Sequence, residues 1–207
     1  MGYQLLIATP SPFARKARIA LREKGIPFEE IVENPWNDGM IVARRNPLAK
    51  VPVLTLPDGR SYFDSRVILD VIDTLPGPEL TPANHALEIR QIEALADGIC
   101  DAVVLIVLEV ARPPDLRSQE WIARQRHKID AGLAALEDAL SGDHMVGGVF
   151  TRADIAAGAA LAYVSLRMPD LDWRGAHPAL AAYADRLEAR PAFAASPTSA
   201  QPIDVKG

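Results

Sequence analysis

The chain has 207 residues, of which 49% are hydrophobic and 24% charged, and its formal net charge is −5 at pH 7. This composition is typical of a globular protein with a substantial core, and the negative charge argues against nucleic acid or an anionic membrane as a partner. The chain has one cysteine, Cys100, and its first residues lack the basic and apolar regions typical of a signal peptide. It is therefore expected to be cytoplasmic, without a disulfide or a cysteine-rich zinc site.

The first third of the chain alternates strand and helix patterns. An apolar strand is predicted at Tyr3–Ala8, followed by a helix at Pro12–Lys24, whose apolar residues keep helical spacing up to the stop at Gly25. A second strand is predicted at Ile26–Val32. A strand, a helix of about a dozen residues and another strand form a parallel, right-handed crossover unit.

The next segment adds a short helix, a hairpin and a longer helix. A loop at 34–39 precedes the short helix, and residues 57–59 have the proline, aspartate and glycine of a hairpin turn. The order βαβ, α, ββα is that of a thioredoxin-like α+β domain. The three predicted elements lie at Met40–Arg45, at Val51–Leu56 with Arg60–Phe63, and from Ser65 to Leu75.

A change in composition indicates a linker at about 75–86. The segment Leu75–Pro82 has three prolines and one glycine in eight positions, which no helix or central strand tolerates. We therefore predict a first domain at 1–78 and an all-helical second domain at 86–207, with a loosely held tail from Ala194 onward. The helices of the second domain are predicted at about Pro82–Ala111, Pro114–Leu140, Thr151–Arg167 and Pro178–Arg190.

The strongest local signal of the second domain lies at residues 150–155. Thr151 is a good N-cap residue, and Asp154, at the third helical position, is placed to accept from the backbone N–H of Thr151. Phe150 and Ile155 flank this capping box in the positions of a hydrophobic staple. Such a helix start stabilises the fold and needs no chemistry.

Two helix starts of the first domain carry polar groups that could hold a ligand. Ser11 is expected at the N-cap of the first helix, with Pro12 at the first helical position, so its hydroxyl lies at the positive end of the helix dipole. Ser65 is expected at the N-cap of the third helix, where free N–H groups suit a small carboxylate, and Asp64 could accept from an ammonium group. Taken alone, each start is most simply explained by helix capping.

A proline stands at the entrance of the third strand, in the segment Asn46–Leu54. If the Val51-Pro52 bond is cis, the backbone N–H and C=O of Val51 face outward and can pair with an extended peptide. The alternative is an ordinary trans proline in a turn. The residues alone leave both open.

Together these segments resemble the glutathione-binding domain of the cytosolic glutathione transferase superfamily, and the resemblance covers nearly the whole chain. It is greatest to bacterial members of the serine-type, zeta-like or YibF-like kind. It implies the glutathione transferase fold, a cis bond before Pro52 and a homodimer. The segments that carry it are SPFARKARIAL (11–21), NPLAKVPVL (46–54), FDS (63–65), TRADIA (151–156) and RLEARPAF (186–193).

The resemblance also implies roles for individual residues. Ser11 corresponds to the activating hydroxyl of serine-type members and is the expected catalytic residue. Val51 corresponds to the residue whose main chain pairs with the cysteinyl part of glutathione, and Asp64 and Ser65 correspond to the site of its γ-glutamyl end. The other residues expected at the glutathione site are Phe13, Pro52 and Lys50, the last near the glycyl carboxylate.

The expected function is that of a glutathione transferase acting in detoxification. Ser11 would stabilise the glutathione thiolate, which would attack an electrophilic carbon of a small apolar co-substrate near Phe13 and Trp36. Glutathione is then a co-substrate, and no metal ion or other cofactor is expected. Two alternatives stay open: a related protein that binds or regulates without turnover, and a glutathione-dependent reductase or lyase. The Ser-Ser-Cys-Ser of zeta-like members is replaced here at residues 10–13, which argues against maleylacetoacetate isomerisation.

The remaining features have simple structural interpretations. Cys100 lies in an apolar run and is expected to pack in the core, and the stretch Ala102–Val110 is too short to span a membrane. The four histidines lack the spacing of metal ligands. The basic residues expected to form the solvated face of the first helix are Arg15, Lys16, Arg18 and Arg22.

Overall fold

A four-stranded sheet organises the first part of the chain in the computed structural model, which describes residues 2–34 and 41–201. The strand β1 pairs in parallel with β2, as a crossover unit requires, and in antiparallel with β3, which forms the predicted hairpin with β4. The strands are β1 (Tyr3–Ile7), β2 (Phe28–Val32), β3 (Val53–Thr55) and β4 (Ser61–Phe63), in the spatial order β2-β1-β3-β4.

Three helices accompany the sheet: α1 (Pro12–Glu23), α2 (Val42–Arg45) and α3 (Ser65–Asp73). The first ends in a Schellman motif, in which Gly25 has a φ of 68° and the N–H of Ile26 donates to the C=O of Leu21. The predicted thioredoxin-like order of elements is therefore confirmed. Residues 35–40, which include most of the expected loop and Trp36, lie outside the described residues.

The second part of the chain is helical, as predicted. Short 3₁₀ turns precede the first two long helices, and a four-residue helix, too short to show periodicity, was not predicted. Cys100 is 3% exposed and packs in the core, as expected. Within residues 2–34 and 41–201, no helix is long and apolar enough to cross a membrane. The helices are α4 (Ala86–Ala111), α5 (Gln119–Ala139), α6 (Arg152–Arg167), α7 (Trp173–Ala176) and α8 (Pro178–Glu188).

The predicted capping box opens α6. The side chain of Thr151 caps the helix, and the carboxylate of Asp154 accepts from the backbone N–H of Thr151 at 2.8 Å. The structure adds acceptor contacts that the sequence did not predict. Asp154 Oδ1 accepts from the N–H of Met145 at 3.0 Å and from the hydroxyl of Tyr183 at 2.7 Å, and Oδ2 accepts from the hydroxyl of Thr151 at 3.1 Å. One fully buried carboxylate therefore connects α6 to α8 and to the loop before α6.

The chain after α8 belongs with the sheet. One compact unit comprises Met1–Leu80 and Arg190–Gly207, and the other comprises Thr81–Ala189, so the units differ from the predicted domains at the C-terminus. The last helix, α9 (Pro191–Ala194), buries Phe193 completely. The prediction of a loosely held tail from Ala194 onward is wrong for the first residues of that tail, because Ser196 is also fully buried. Residues 202–207 lie outside the described part of the chain.

The expected solvated face of α1 is also wrong. Arg15 and Lys16 are each 1% exposed, and Arg18 is 7% exposed. The C-terminal segment covers this face, and it supplies backbone carbonyls to Arg15 and Arg18, each at 2.8 Å. Buried guanidinium groups need such acceptors, because an unpaired buried charge is costly.

Glu30 on β2 joins two of the arginines of α1. Its Oε1 accepts from Arg18 at 3.0 Å and from Arg22 at 2.6 Å. Burial raises the pKa of Glu30, but the two hydrogen bonds and the positive charges outweigh this and hold the pKa below its ordinary value of 4.5. The ion pair thus stabilises the fold at pH values above about 4.5, and this stabilisation is lost as the pH falls through the lowered pKa.

We expect Glu30→Gln to lower the free energy of unfolding by about 1 kcal/mol at pH 7, a modest value because the pair is partly exposed and screened. The difference from the wild type should shrink as the pH falls below about 4.5, since the wild-type carboxylate becomes protonated as the pH passes through its lowered pKa. Urea unfolding at several pH values measures this. Glu29→Gln, at an exposed neighbouring position, is the matched control. A difference that is constant from pH 7 to pH 3 would contradict the prediction.

Candidate functional site

The strand register brings the three predicted site segments together at one end of the sheet. Leu6 near the end of β1 pairs with Val53 at the start of β3, and Val53 pairs with Phe63 at the end of β4. The chain therefore leaves β1 and β4, and enters β3, at neighbouring points. The predicted residues follow or precede these points directly: Ser11 and Phe13 after β1, Lys50 to Pro52 before β3, and Asp64 and Ser65 after β4.

Ser11 lies at the N-terminus of α1, as predicted. Its backbone N–H donates to the C=O of Ala8 at 3.0 Å, and its Oγ accepts from the N–H of Ala14 at 3.2 Å. Because the hydroxyl is the acceptor in this capping bond, the bond does not use its proton. The half-buried hydroxyl thus sits at the positive end of the helix dipole and has a proton that it can donate to an anion.

Phe13 lies in the first turn of α1 and is half-buried. The ammonium group of Lys16 lies 6.0 Å from the centre of its ring, within the range of a cation–π interaction. Phe13 thus provides a partly exposed aromatic group two positions after Ser11.

The bond between Val51 and Pro52 is cis, as the resemblance implied. Pro52 is buried, and Val51 packs against a core cluster formed by Leu6, Val42 and Val53. Because β3 begins only at Val53, the backbone of Val51 lies outside the strand ladder. Lys50 is exposed to solvent.

Asn46 holds this loop in shape, a role that the sequence analysis missed. It is 2% exposed, its Nδ2 donates to the C=O of Lys50 at 2.8 Å, and its Oδ1 accepts from the N–H of Leu48 at 3.0 Å. The signal was the Asn-Pro pair at 46–47, because asparagine before proline commonly starts a turn. Asn46 thus supports the backbone just before Val51.

The N-cap of α3 is Asp64 and not Ser65, which corrects the predicted boundary by one residue. The Oδ1 of Asp64 accepts from the N–H of Arg66 at 2.9 Å, and its backbone has a φ of 67° and a ψ of 126°, a positive-φ conformation that residues other than glycine rarely adopt. Ser65 is the first residue of the helix and is 6% exposed. The positive end of α3 and an exposed carboxylate therefore lie next to each other at this end of the sheet.

The described residues include no group of three or more His, Cys, Asp or Glu side chains that could hold a metal ion. The site instead combines two helix N-termini, one hydroxyl, one carboxylate and the backbone of Val51, which lies outside the strand ladder. Such groups can bind a small zwitterionic peptide, since they offer partners for carboxylate, ammonium and amide groups at once.

Comparison with known proteins agrees with this arrangement. Residues 10–75 match the family model described as glutathione S-transferase, N-terminal domain, and residues 119–186 match the one described as glutathione S-transferase, C-terminal domain. The chain is 40% identical over 187 residues to the uncharacterized GST-like protein YibF of Escherichia coli strain K12, which covers 89% of this chain and 93% of that protein.

Two solved structures are similar over almost the whole length. A glutathione S-transferase from Methylobacterium radiotolerans, in complex with glutathione sulfonate, has a TM-score of 0.95 and 51% identity over 99% of both chains. A glutathione S-transferase from Methylobacillus flagellatus with glutathione bound has a TM-score of 0.91 and 37% identity, covering 95% of this chain and 100% of that one. The chain belongs to the glutathione S-transferase family.

Proposed function

We propose that the chain binds glutathione at the end of the sheet described above and activates its thiol as a thiolate for attack on an electrophilic substrate. The observation that carries this proposal is the convergence of Ser11, Val51 and the Asp64-Ser65 pair at one end of the sheet. The two bacterial relatives that hold glutathione or its sulfonate support the choice of ligand.

Each part of the tripeptide has a proposed partner. The γ-glutamyl carboxylate binds at the N-terminus of α3 beside Ser65, and its ammonium group binds the carboxylate of Asp64. The cysteinyl backbone pairs with the main chain of Val51, and the glycyl carboxylate contacts the exposed Lys50. Pro52 and Phe13 complete the site as apolar neighbours. This places the thiol next to Ser11.

Ser11 then donates a hydrogen bond to the sulfur. A thiol with a pKa of about 8.5 is mostly protonated at neutral pH, and each unit by which its pKa falls needs about 1.4 kcal/mol of differential stabilisation. A hydrogen bond to a charged acceptor contributes about 1.5 to 3 kcal/mol, and the helix dipole adds about 0.3 to 1 kcal/mol. These contributions are sufficient for a reduction of one to two units.

The thiolate is the nucleophile of the proposed reaction. The thiol loses its proton to water, the sulfur forms a bond to an electrophilic carbon, and the leaving group departs with its electron pair.

We propose an apolar co-substrate, a homodimer and a cytoplasmic location for this enzyme. The exposed apolar side chains of Phe63 and Val67, which are 36% and 44% exposed on β4 and α3, support a protein–protein contact on this unit.

Two simple assays separate this function from its alternatives. Retention of the protein on immobilised glutathione, with conjugation of an aryl halide, supports the transferase. Retention without conjugation, or with reduction of a disulfide in its place, favours the binding protein or the reductase. Absence of retention contradicts glutathione binding altogether.

A substitution in the γ-glutamyl site tests where glutathione binds. We expect Ser65→Ala to raise the dissociation constant for glutathione about tenfold, because the lost hydrogen bond to a carboxylate contributes about 1.5 kcal/mol. Calorimetric titration measures this. Ser61→Ala is the matched control, since Ser61 lies at the opposite end of β4, where its hydroxyl is 2.9 Å from that of Thr55. Equal affinities of the two variants would contradict the assignment.

A further inference from the structure

Residues 190–199 of the chain reach the turn that precedes Ser11. We call residues Arg190–Ser199 the strap. The hydroxyl of Thr9 donates to the C=O of Ser199 at 3.1 Å, and the N–H of Ser199 donates to the C=O of Thr9 at 3.4 Å. Thr9 lies two residues before Ser11, in the turn between β1 and α1. These reciprocal bonds attach the strap directly to that turn.

Three arginines of α1 hold the middle of the strap. Arg15 Nε donates to the C=O of Ser196 at 2.8 Å, Arg18 donates to the C=O of Pro197 at 2.8 Å, and Arg22 donates to Oγ of Ser196 at 3.0 Å. The arginines are three and four residues apart, so they lie on one face of the helix. Bonds from guanidinium groups to carbonyls are charge-assisted and stronger than neutral ones.

The beginning of the strap is attached at the other end of α1. Arg190 donates two hydrogen bonds to the carboxylate of Glu23, at 2.9 and 3.0 Å. Phe193 is fully buried, and the guanidinium group of Arg15 lies 5.5 Å from the centre of its ring. The strap therefore runs along the whole of α1, from Glu23 at its C-terminus to the turn that precedes its N-terminus.

We propose that the strap is a positioning element for Ser11, with Thr9 as the positioning residue that connects the two. This inference rests on the proposed function. Ser11 can stabilise a thiolate only while its hydroxyl keeps one direction, and small displacements of a catalytic group cost much of its effect. The bond from the N–H of Ser11 to the C=O of Ala8 holds the turn from within, and the bonds between Thr9 and Ser199 attach it to the strap.

Full-length variants can release the turn and leave the rest of the strap attached. Thr9→Val removes the hydroxyl, Ser199→Pro removes the backbone N–H, and the double variant removes both bonds. Thr9→Ser and Ser199→Ala are the matched controls, because the first retains a hydroxyl and the second retains both backbone groups. The measurements are the pKa of bound glutathione from its thiolate absorbance, amide hydrogen exchange without ligand, and the thermal midpoint.

For the double variant we expect the exchange of the Ser11 and Ala14 amides to become about tenfold faster, because local opening is easier when a loop is released. The pKa of the bound thiol should rise by about half a unit, and the conjugation rate at pH 7 should fall about threefold. The arginine contacts remain, so the thermal midpoint should stay within about 3 °C of the wild type. Both control variants should behave like the wild type.

Unchanged exchange in the double variant would show that the strap does not hold the turn, and would overturn the proposal. Faster exchange with an unchanged thiol pKa would also overturn it, provided that Ser11→Ala does raise this pKa. An unchanged pKa in Ser11→Ala itself would instead overturn the proposed role of Ser11, and with it the chemical role of the strap. Hydrogen exchange would still decide whether the strap holds the turn.

Discussion

Asp154→Ala is expected to lower the free energy of unfolding by about 3 to 5 kcal/mol, the largest loss of stability that we predict for one side chain. The carboxylate of Asp154 is fully buried and accepts from the N–H of Met145, from the hydroxyl of Tyr183, and from the N–H and hydroxyl of Thr151. Removing it leaves these donors without their acceptor in the interior, and an unsatisfied buried donor costs about 1 to 3 kcal/mol.

Urea unfolding of the wild type and the variant measures this loss. Tyr183→Phe is the companion variant, because it removes the bond at 2.7 Å while the carboxylate stays in place, and it should cost about 1 to 2 kcal/mol. Thr151→Ala, which removes the cap but leaves the carboxylate, should fall in the same range. A loss of less than 1 kcal/mol in Asp154→Ala would show that the carboxylate does not connect these segments.

Ser11→Ala should have the largest effect on catalysis. We expect the pKa of bound glutathione to rise by one to two units and the value of kcat/KM at pH 7 to fall about 10- to 100-fold, because the thiolate loses a hydrogen bond of about 1.5 to 3 kcal/mol. The rate should recover toward pH 9, where the thiol ionises without assistance. Stopped-flow measurement of thiolate absorbance, together with a pH–rate profile, tests both expectations.

The substitution also removes a helix cap, which costs about 1 kcal/mol of stability. Ser118→Ala is the matched control for this effect, because Ser118 caps α5 in the same way, with its Oγ accepting from the N–H of Trp121 at 3.2 Å. It should lower stability similarly and leave the thiol pKa unchanged. A Ser11→Ala variant with a normal thiol pKa would remove the basis of the proposed mechanism.

Signals that act over a few residues were predicted well. These features depend on hydrogen bonds between near neighbours in the chain. They are the N-cap of α1 at Ser11, its termination at Gly25, the β3–β4 hairpin and the capping box at Thr151. The start of α3 was displaced by one residue. Asp64 and Ser65 are both good N-cap residues, and only the backbone conformation of Asp64 distinguishes them.

The site was predicted in two steps of different kinds. Each segment separately indicated little more than a helix start or a strand entrance, and the family resemblance supplied the order and the roles. The pairing of Val53 with Leu6 and with Phe63 then placed the segments at one end of the sheet. Asn46 was missed, because its contacts to Lys50 and Leu48 depend on the shape of the loop.

The amino-acid sequence was sufficient for the element order, the main helix and strand positions, and the family, because periodicity, caps and turns are encoded in neighbouring residues. Whether the polar face of α1 is exposed or buried was decided only by the tertiary structure. Periodicity shows which face of a helix is apolar, but not whether a distant segment covers the other face. Here the acceptor for Arg15 is Ser196, 181 residues further along, and that contact buries a charge that helical pattern alone would leave in solvent.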